Sequence, residues 1–158
     1  MRRRFVVRLT ALVPGDAAAQ VVLPPPVGVS RQAEAAIAAD AALRRGGLAT
    51  TSRVTGEQRD APNGWSPLQW IAVSGLPRYG HRVVSNEIAG RWLAMVEDQY
   101  RATGQPHEKY DVDSLEVGTG GEYVPETGFG WTNGATLALM SMLADESGKS
   151  NQLERENT

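Results

Sequence analysis

Long loops separate the predicted helices of this chain, and that alternation constrains its fold more than any other feature of the sequence. Alanine-rich or apolar segments with helix start and stop signals predict four helices, over residues 32–45, 66–75 and 84–103 and from residue 133 onward. In the third, apolar residues recur at three- and four-residue steps. No segment shows the alternation typical of a half-buried strand. The connecting residues 46–64 and 105–131 exceed the loops of most compact domains, and loops of that length are usually functional or disordered. The sequence therefore predicts an all-α domain with long functional loops.

Local signals mark where two of these helices begin. Ser66 predicts an N-cap, Pro67 fits the first helical position, and Gln69 completes a capping box. Asn133 predicts the cap of the last helix. We therefore expect helices to start at these two caps.

The chain divides into three predicted segments: an irregular N-terminal segment over residues 1–27, a helical domain over residues 28–146 and a polar tail over residues 147–158. Three consecutive prolines at residues 24–26 exclude helix from the first segment. Arginines followed by apolar residues give the N-terminus the outline of a signal peptide, but Arg8 interrupts the apolar stretch. The compartment stays open between cytoplasm and periplasm, since a chain without cysteine suits both.

Composition excludes several kinds of site. Sixteen Lys+Arg against eighteen Asp+Glu give a net charge of -2, without the basic excess of a nucleic-acid-binding protein. The chain has no cysteine, which excludes disulfides, thiolate metal sites and cysteine nucleophiles. His81 and His107, both expected at the surface, are too few for a histidine-rich metal site, so we predict no metal and no cofactor. No apolar run is long enough to span a membrane.

The first long loop ends in a segment suited to sugar binding. Residues 58–65 are Gln-Arg-Asp-Ala-Pro-Asn-Gly-Trp, which combine a carboxylate, an amide and an indole. The apolar face of a pyranose stacks on tryptophan, and its hydroxyls need hydrogen-bond donors and acceptors. The alternative is structural: a Pro-Asn-Gly turn that leads into the next helix, with Trp65 packed in the core.

The second long loop places carboxylates and aromatic side chains among glycines. Glycine lets the backbone approach a ligand closely, or lets a lid close. Hydrolysis of a glycosidic bond needs two carboxyl groups that flank the bond. The candidates in this loop are Glu108, Asp111, Glu116, Glu122 and Glu126. The alternative is a solvated acidic loop, since exposed Glu and Asp are ordinary.

Taken together, these motifs resemble the C-terminal part of the trehalases, the glycoside hydrolase family that cleaves α,α-trehalose to two glucoses with inversion. The resemblance follows the chain over residues 28–144. The segments that carry it are GLATT from residue 47, QRDAPNGWSPLQW from 58, EKYDV from 108, GGEY from 120 and GFGWTNG from 128. It implies a partial α/α toroid, an incomplete form of a barrel of six helical hairpins. Residues 28–146 are then the trehalase-like domain that closes the ring.

The resemblance also implies site residues. Glu108, in Glu-Lys-Tyr-Asp, matches the general base that activates the attacking water. Glu122, in Gly-Gly-Glu-Tyr, matches the carboxylate of a mobile lid that contacts the sugar. The other candidate substrate-binding residues are Asp60, Asn63, Trp65 and Trp131.

Two departures from the family pattern matter. Arg59 stands where the family signature has tryptophan, which puts a cation beside Asp60. Family members are also much longer, with the catalytic acid in an N-terminal portion, and this chain has no Glu-Ser-Gly-Trp-Asp type of segment. The resemblance therefore implies a C-terminal fragment that carries the general base and lacks the general acid. We expect the isolated chain to be inactive or very weakly active.

Other interpretations stay open at this point. The chain is alternatively a non-catalytic helical module that binds sugar or assembles with other subunits, one half of a split enzyme, or a truncated gene product. The expected ligand is trehalose or a related disaccharide. A partial toroid leaves apolar helix faces without neighbours, so a missing N-terminal half or a second copy of the chain is the expected protein partner.

Overall fold

Three helices and two small antiparallel sheets make up the part of the chain that the computed structural model describes, residues 42–156. The helices are α1 (Ser66–Gly75), α2 (Arg82–Thr103) and α3 (Gly130–Glu156), with a 3-10 turn over Leu76–Tyr79 between the first two. The predicted irregular segment 1–27 and most of the predicted helix over residues 32–45 lie outside the described residues.

The sheets depart from the predicted all-α class. One pairs β1 (Leu43–Arg44) with β2 (Gly47–Leu48), and the other has the order β3 (Asn63–Gly64), β4 (Tyr110–Asp111), β5 (Glu116–Val117). All pairings are antiparallel. Each strand is two residues long, too short to produce an alternating apolar pattern in the sequence. The described domain is thus mainly helical, with short strands inside its long loops.

The predicted end of the first helix is wrong. Leu43 and Arg44 are extended in β1, and the following residues turn into β2 instead of closing a helix at residue 45. Tertiary hydrogen bonds explain the difference: the Gly46 N–H donates to the Val112 carbonyl over 2.8 Å. Backbone groups that find partners across the fold no longer need helical ones.

α1 begins where predicted, but not by the predicted cap. Trp65 is the N-cap residue and Pro67 lies in the first turn. The Ser66 hydroxyl donates to Thr132 Oγ1 over 3.2 Å, and the Gln69 amide bonds the backbone of Leu48. The predicted capping box is therefore wrong, because both side chains serve contacts with other elements.

α2 confirms the predicted amphipathic helix. Its inward side chains form the centre of the core with residues of α1, α3 and the second sheet; they are Ile88, Trp92, Met95 and Val96. The Trp92 indole packs edge-on against Tyr110 of β4, with ring centroids 5.5 Å apart. Gly104 ends the helix with φ at 72°, a left-handed conformation that glycine adopts without strain.

α3 starts three residues before the predicted cap. Gly130 is its first residue, and the Asn133 N–H already donates to the Phe129 carbonyl over 3.2 Å. The Thr132 hydroxyl fixes this first turn by donating to the His107 carbonyl over 2.8 Å. The helix continues to Glu156, so the predicted polar tail is helical over residues 147–156. None of the described helices combines the length and the apolar character needed to cross a bilayer.

Candidate active site

The three-stranded sheet brings the two long loops side by side. In β3 and β4, Asn63 pairs with Asp111 and Gly64 with Tyr110. The Val112 N–H extends this contact by donating to the Pro62 carbonyl over 2.9 Å. As a result, the loop over residues 58–65 lies against the residues that flank Glu108.

Glu108 is buried at the centre of this arrangement, with 2% of its surface exposed. Its Oε1 accepts a 2.9 Å hydrogen bond from the Tyr123 hydroxyl, and its backbone carbonyl lies 3.4 Å from Nε1 of Trp131. Its Oε2 is buried and has no hydrogen-bond partner among the described residues. Buried polar groups almost always have a partner, so Oε2 is an acceptor free for a ligand or water.

The Trp131 indole, at the start of α3, packs against the indole of Trp65, at the end of the first long loop. The rings of Trp65 and Trp131 pack edge to face with centroids 5.7 Å apart, and Phe129 lies 4.4 Å from Trp131. Trp65 is 3% exposed, whereas Trp131 is 40% exposed. The guanidinium of Arg59 covers the Trp65 ring at 5.2 Å. This cluster has the apolar body and polar edges suited to a pyranose.

Asp60 and Asn63 make contacts within and between the loops. The Asp60 carboxylate accepts hydrogen bonds from the Thr55 N–H, at 2.5 Å, and from the Thr55 hydroxyl. Burial raises the pKa of Asp60, but hydrogen bonds with Thr55, Glu57 and Thr51 together outweigh it and hold the pKa below its usual value. Asn63 donates through Nδ2 to the Thr119 carbonyl over 3.2 Å. Both side chains thus hold the shape of the site, and their roles toward a sugar stay predictions.

Glu122 is exposed on a bend of the glycine-rich loop. Its neighbour Tyr123 reaches Glu108, but Glu122 makes no hydrogen bond or ion pair with other residues of the described range 42–156. The structure therefore brings Glu108, Trp65 and Trp131 together, whereas the carboxylates of Asp60 and Glu122 do not contact Glu108. Whether Glu122 contacts a sugar stays a prediction.

Sequence reasoning gave no role to Lys109, which is completely buried. Its Nζ donates to the Gly120 carbonyl over 2.6 Å and lies 3.5 Å from the carbonyl of Gln58. Burial lowers the pKa of Lys109, and the nearby charge of Glu108 opposes that shift. Lys109 therefore ties the glycine-rich loop to the first loop directly behind the candidate base. The only sequence signal was its place beside Glu108 in the Glu-Lys-Tyr-Asp motif.

His107 is buried, so its predicted surface position is wrong. Its Nε2 lies 3.1 Å from Thr103 Oγ1, and its backbone N–H donates to the Tyr110 hydroxyl over 2.9 Å. Burial lowers the pKa of His107. His81 is half-buried next to the start of α2. Within the described part of the chain, no three His, Asp or Glu side chains are grouped as metal ligands.

Comparison with known proteins identifies the family of the chain. A sequence model of the trehalase family matches residues 22–144. A periplasmic trehalase of Pseudomonas aeruginosa is 48% identical over 108 residues, which cover 68% of this chain and 20% of that protein. A periplasmic trehalase of Salmonella paratyphi B is 48% identical over 118 residues, 73% of this chain and 21% of that protein.

A solved structure gives the same result. The neutral trehalase of Saccharomyces cerevisiae superimposes with a TM-score of 0.55 and 32% sequence identity, over 72% of this chain and 21% of that one. These similarities place the chain in a glycoside hydrolase family. More narrowly, the chain belongs to the trehalase family, as its motifs predicted. It spans about a fifth of the length of the relatives it matches.

Proposed function

We propose that this chain supplies the water-activating base, Glu108, for the hydrolysis of trehalose to two glucoses with inversion. The observation that carries the proposal is the free Oε2 of a buried glutamate whose backbone carbonyl contacts the Trp131 indole, which in turn packs on Trp65. In inverting glycosidases the base takes a proton from a water on the face of the sugar opposite the acid. The two carboxyl groups are about 6.5–9.5 Å apart to leave room for that water.

The contacts of the Glu108 carboxyl group suit this role. The Tyr123 hydroxyl occupies Oε1 and fixes the plane of the group. Oε2 is then left to accept the proton of the attacking water. A positioned base of this kind contributes about 10²–10⁴-fold to a reaction rate.

The sugar in this proposal lies against the Trp65 and Trp131 indoles. Glu122 approaches it from the glycine-rich loop, where Gly120 and Gly121 have positive φ values that permit a tight turn. Asp60 and Asn63 keep the first loop in position, through Thr55 and Thr119 respectively. A loop of this kind closing over the sugar would exclude bulk water and retain the one water that Glu108 activates.

In this proposal the chain is a fragment that lacks the general acid. Without protonation of the leaving group a factor of about 10²–10⁴ in rate is lost. Loss of the rest of the pocket removes substrate positioning as well. We therefore propose that the chain alone is inactive or very weak, and that its activity depends on a polypeptide that completes a six-hairpin α/α toroid.

Exposed apolar side chains support a protein partner. Ile71 of α1 is 55% exposed, and Leu137 and Met140 of α3 are 68% and 49% exposed. Exposed apolar surface of this kind is a candidate for contact with another protein. The candidate partners are a separately encoded N-terminal half and a second copy of this chain.

A glucose-release assay tests the proposal. The chain alone should release no glucose from trehalose. Mixing it with the missing N-terminal portion of a homologous trehalase should restore release, and Glu108→Gln should abolish it. Glu116→Gln, an exposed carboxylate of β5, is the matched control and should keep the restored activity. Restored hydrolysis that survives Glu108→Gln would contradict the assignment of the base.

A non-catalytic sugar-binding module is the second candidate. The 40% exposure of Trp131 beside the buried Trp65 favours it, because an accessible indole binds sugar without any catalytic acid. In that case trehalose would change the tryptophan fluorescence of the chain, but no partner would restore hydrolysis. A chain that neither binds trehalose nor regains activity would instead be a truncated product without either function.

A further inference from the structure

Two buried glutamines in this structure have opposite hydrogen bonding. The amide of Gln69, which is fully buried, accepts from the Leu48 N–H over 2.9 Å and donates to the Leu48 carbonyl over 2.7 Å. Gln58 is 9% exposed, yet neither its Oε1 nor its Nε2 has a hydrogen-bond partner among the described residues. A buried amide without hydrogen-bond partners destabilises a protein, so the unpaired side chain of Gln58 requires an explanation.

The fold holds Gln58 in this position. A Cβ placed on Gly121 would lie 1.8 Å from Gln58 Oε1 and 2.7 Å from its Cα, so only glycine allows the loop to pack on it. The Gln58 carbonyl lies 3.5 Å from the buried Nζ of Lys109. The amide therefore cannot turn to solvent without moving the glycine-rich loop.

Gln58 is not the only residue of the two long loops with buried polar atoms that lack partners among the described residues. Both donors and acceptors are affected, which are Gln58 Nε2 and Oε1, Trp65 Nε1, Asn63 Oδ1 and Glu108 Oε2. The Tyr123 hydroxyl, which donates to Glu108, also lies near the Gln58 amide. Tyr123 and Gln58 form no hydrogen bond of good geometry, but Tyr123 places Gln58 close to Glu108. A ligand that satisfies both kinds of atom must itself carry groups that donate and accept, as sugar hydroxyls do.

We propose that Gln58 is a substrate-positioning residue whose amide binds hydroxyls of the sugar next to Glu108. This inference rests on the proposed function, because it takes trehalose as the ligand. A binding site that keeps its polar groups unpaired until the ligand arrives gives up stability of the free protein. Gln58 should therefore be unfavourable for the free chain and favourable for the complex.

The test compares Gln58→Met with Gln69→Met in the full chain. Thermal unfolding gives the stability of the free protein, and calorimetric titration with trehalose gives its dissociation constant. For Gln58→Met we expect an unchanged or higher melting temperature and a dissociation constant raised about tenfold or more, since two hydrogen bonds to the sugar are lost. For Gln69→Met we expect a lower melting temperature, because the Leu48 backbone groups lose their partner.

Each other outcome decides against the inference. A melting temperature of Gln58→Met that falls as far as that of Gln69→Met, or a variant that fails to fold, would show that the amide serves the free fold. Unchanged trehalose affinity in Gln58→Met would show that the amide does not bind the sugar, while leaving the proposed function intact. If the unmodified chain binds no trehalose at all, the inference and the sugar-binding part of the proposed function fail together.

Discussion

The Tyr123 hydroxyl donates a 2.9 Å hydrogen bond to Oε1 of Glu108, which joins a half-exposed residue of the glycine-rich loop to a carboxyl group that is almost fully buried. Any movement of this loop that withdraws Tyr123 breaks that bond. The position of the loop and the orientation of the candidate base are therefore coupled. Because of this coupling, the pKa of Tyr123 reports whether the loop contacts Glu108.

We expect Tyr123 to ionise above the pH of an ordinary tyrosine, because burial and the hydrogen bond to Glu108 raise its pKa. Glu108→Gln should lower that pKa part of the way and leave the contribution of burial. Subtracting the ultraviolet titration of Tyr123→Phe from that of the unmodified chain isolates this group among the four tyrosines. Tyr79→Phe, at an exposed position, is the control. A Tyr123 transition at or below pH 10, the ordinary value, would contradict the expected contact.

The same shift affects stability at high pH. Because the pKa of Tyr123 is higher in the folded than in the unfolded chain, the protonated hydroxyl contributes fully to the free energy of unfolding below about pH 10. It is lost as the pH rises through the folded-state value.

Lys109 should control the order of the glycine-rich loop. Lys109→Met removes the donor to the carbonyls of Gly120 and Gln58, and a hydrogen bond from a charged group contributes about 1.5–3 kcal/mol. Amide hydrogen exchange over residues 118–123 should then accelerate about tenfold or more, with α2 unchanged. Arg101→Met, which removes an exposed cation of α2, should leave the loop as it was. Equal exchange in the two variants would show that Lys109 does not hold the loop.

The helices were predictable because their apolar residues recur at helical spacing. The predicted ranges 66–75 and 84–103 correspond to α1, Ser66–Gly75, and α2, Arg82–Thr103. The strands were not predictable, because each is two residues long and depends on pairing between distant parts of the chain. β3 and β4 illustrate this, since Asn63 pairs with Asp111. The failed capping box has the same cause: Gln69 bonds Leu48, a residue of another element.

The candidate site was predictable only where motifs marked it. Glu108, Trp65 and Trp131 lie in segments that resemble the family, and the structure brings them together. The positions of Lys109 and Gln58 depend on contacts across 51 residues of sequence, which no local pattern encodes. In the sequence, Gln58 stands out only as part of the segment suited to sugar binding and Lys109 only as part of the Glu-Lys-Tyr-Asp motif. Their burial had no signal, since both residue types are mostly exposed in proteins.

Two adjacent glycines allow a matched test of the loop's close approach to Gln58. Gly120 and Gly121 have φ of 75° and 92°, so alanine at either is strained by roughly 1–2 kcal/mol. A Cβ at Gly120 meets nothing within 4 Å, whereas one at Gly121 meets Gln58 at 1.8 Å. Gly121→Ala should therefore lose about 1–3 kcal/mol more in free energy of unfolding than Gly120→Ala, measured by urea denaturation. Equal losses would mean that Gln58 yields without cost.

His107 should make the chain less stable in mild acid. Burial lowers its pKa below the ordinary 6.5, so the neutral ring stabilises the fold above that pH. Its contribution is lost as the pH falls from about 6.5 through the lower folded-state value. Asp60, whose pKa is lowered from 3.8, acts only in stronger acid, which separates the two effects. The urea concentration at the unfolding midpoint should fall between pH 7.5 and pH 5 in the unmodified chain and in His81→Gln. It should fall less in His107→Gln, because only that variant lacks the buried ring. An equal fall in both variants would assign the acid sensitivity to other groups.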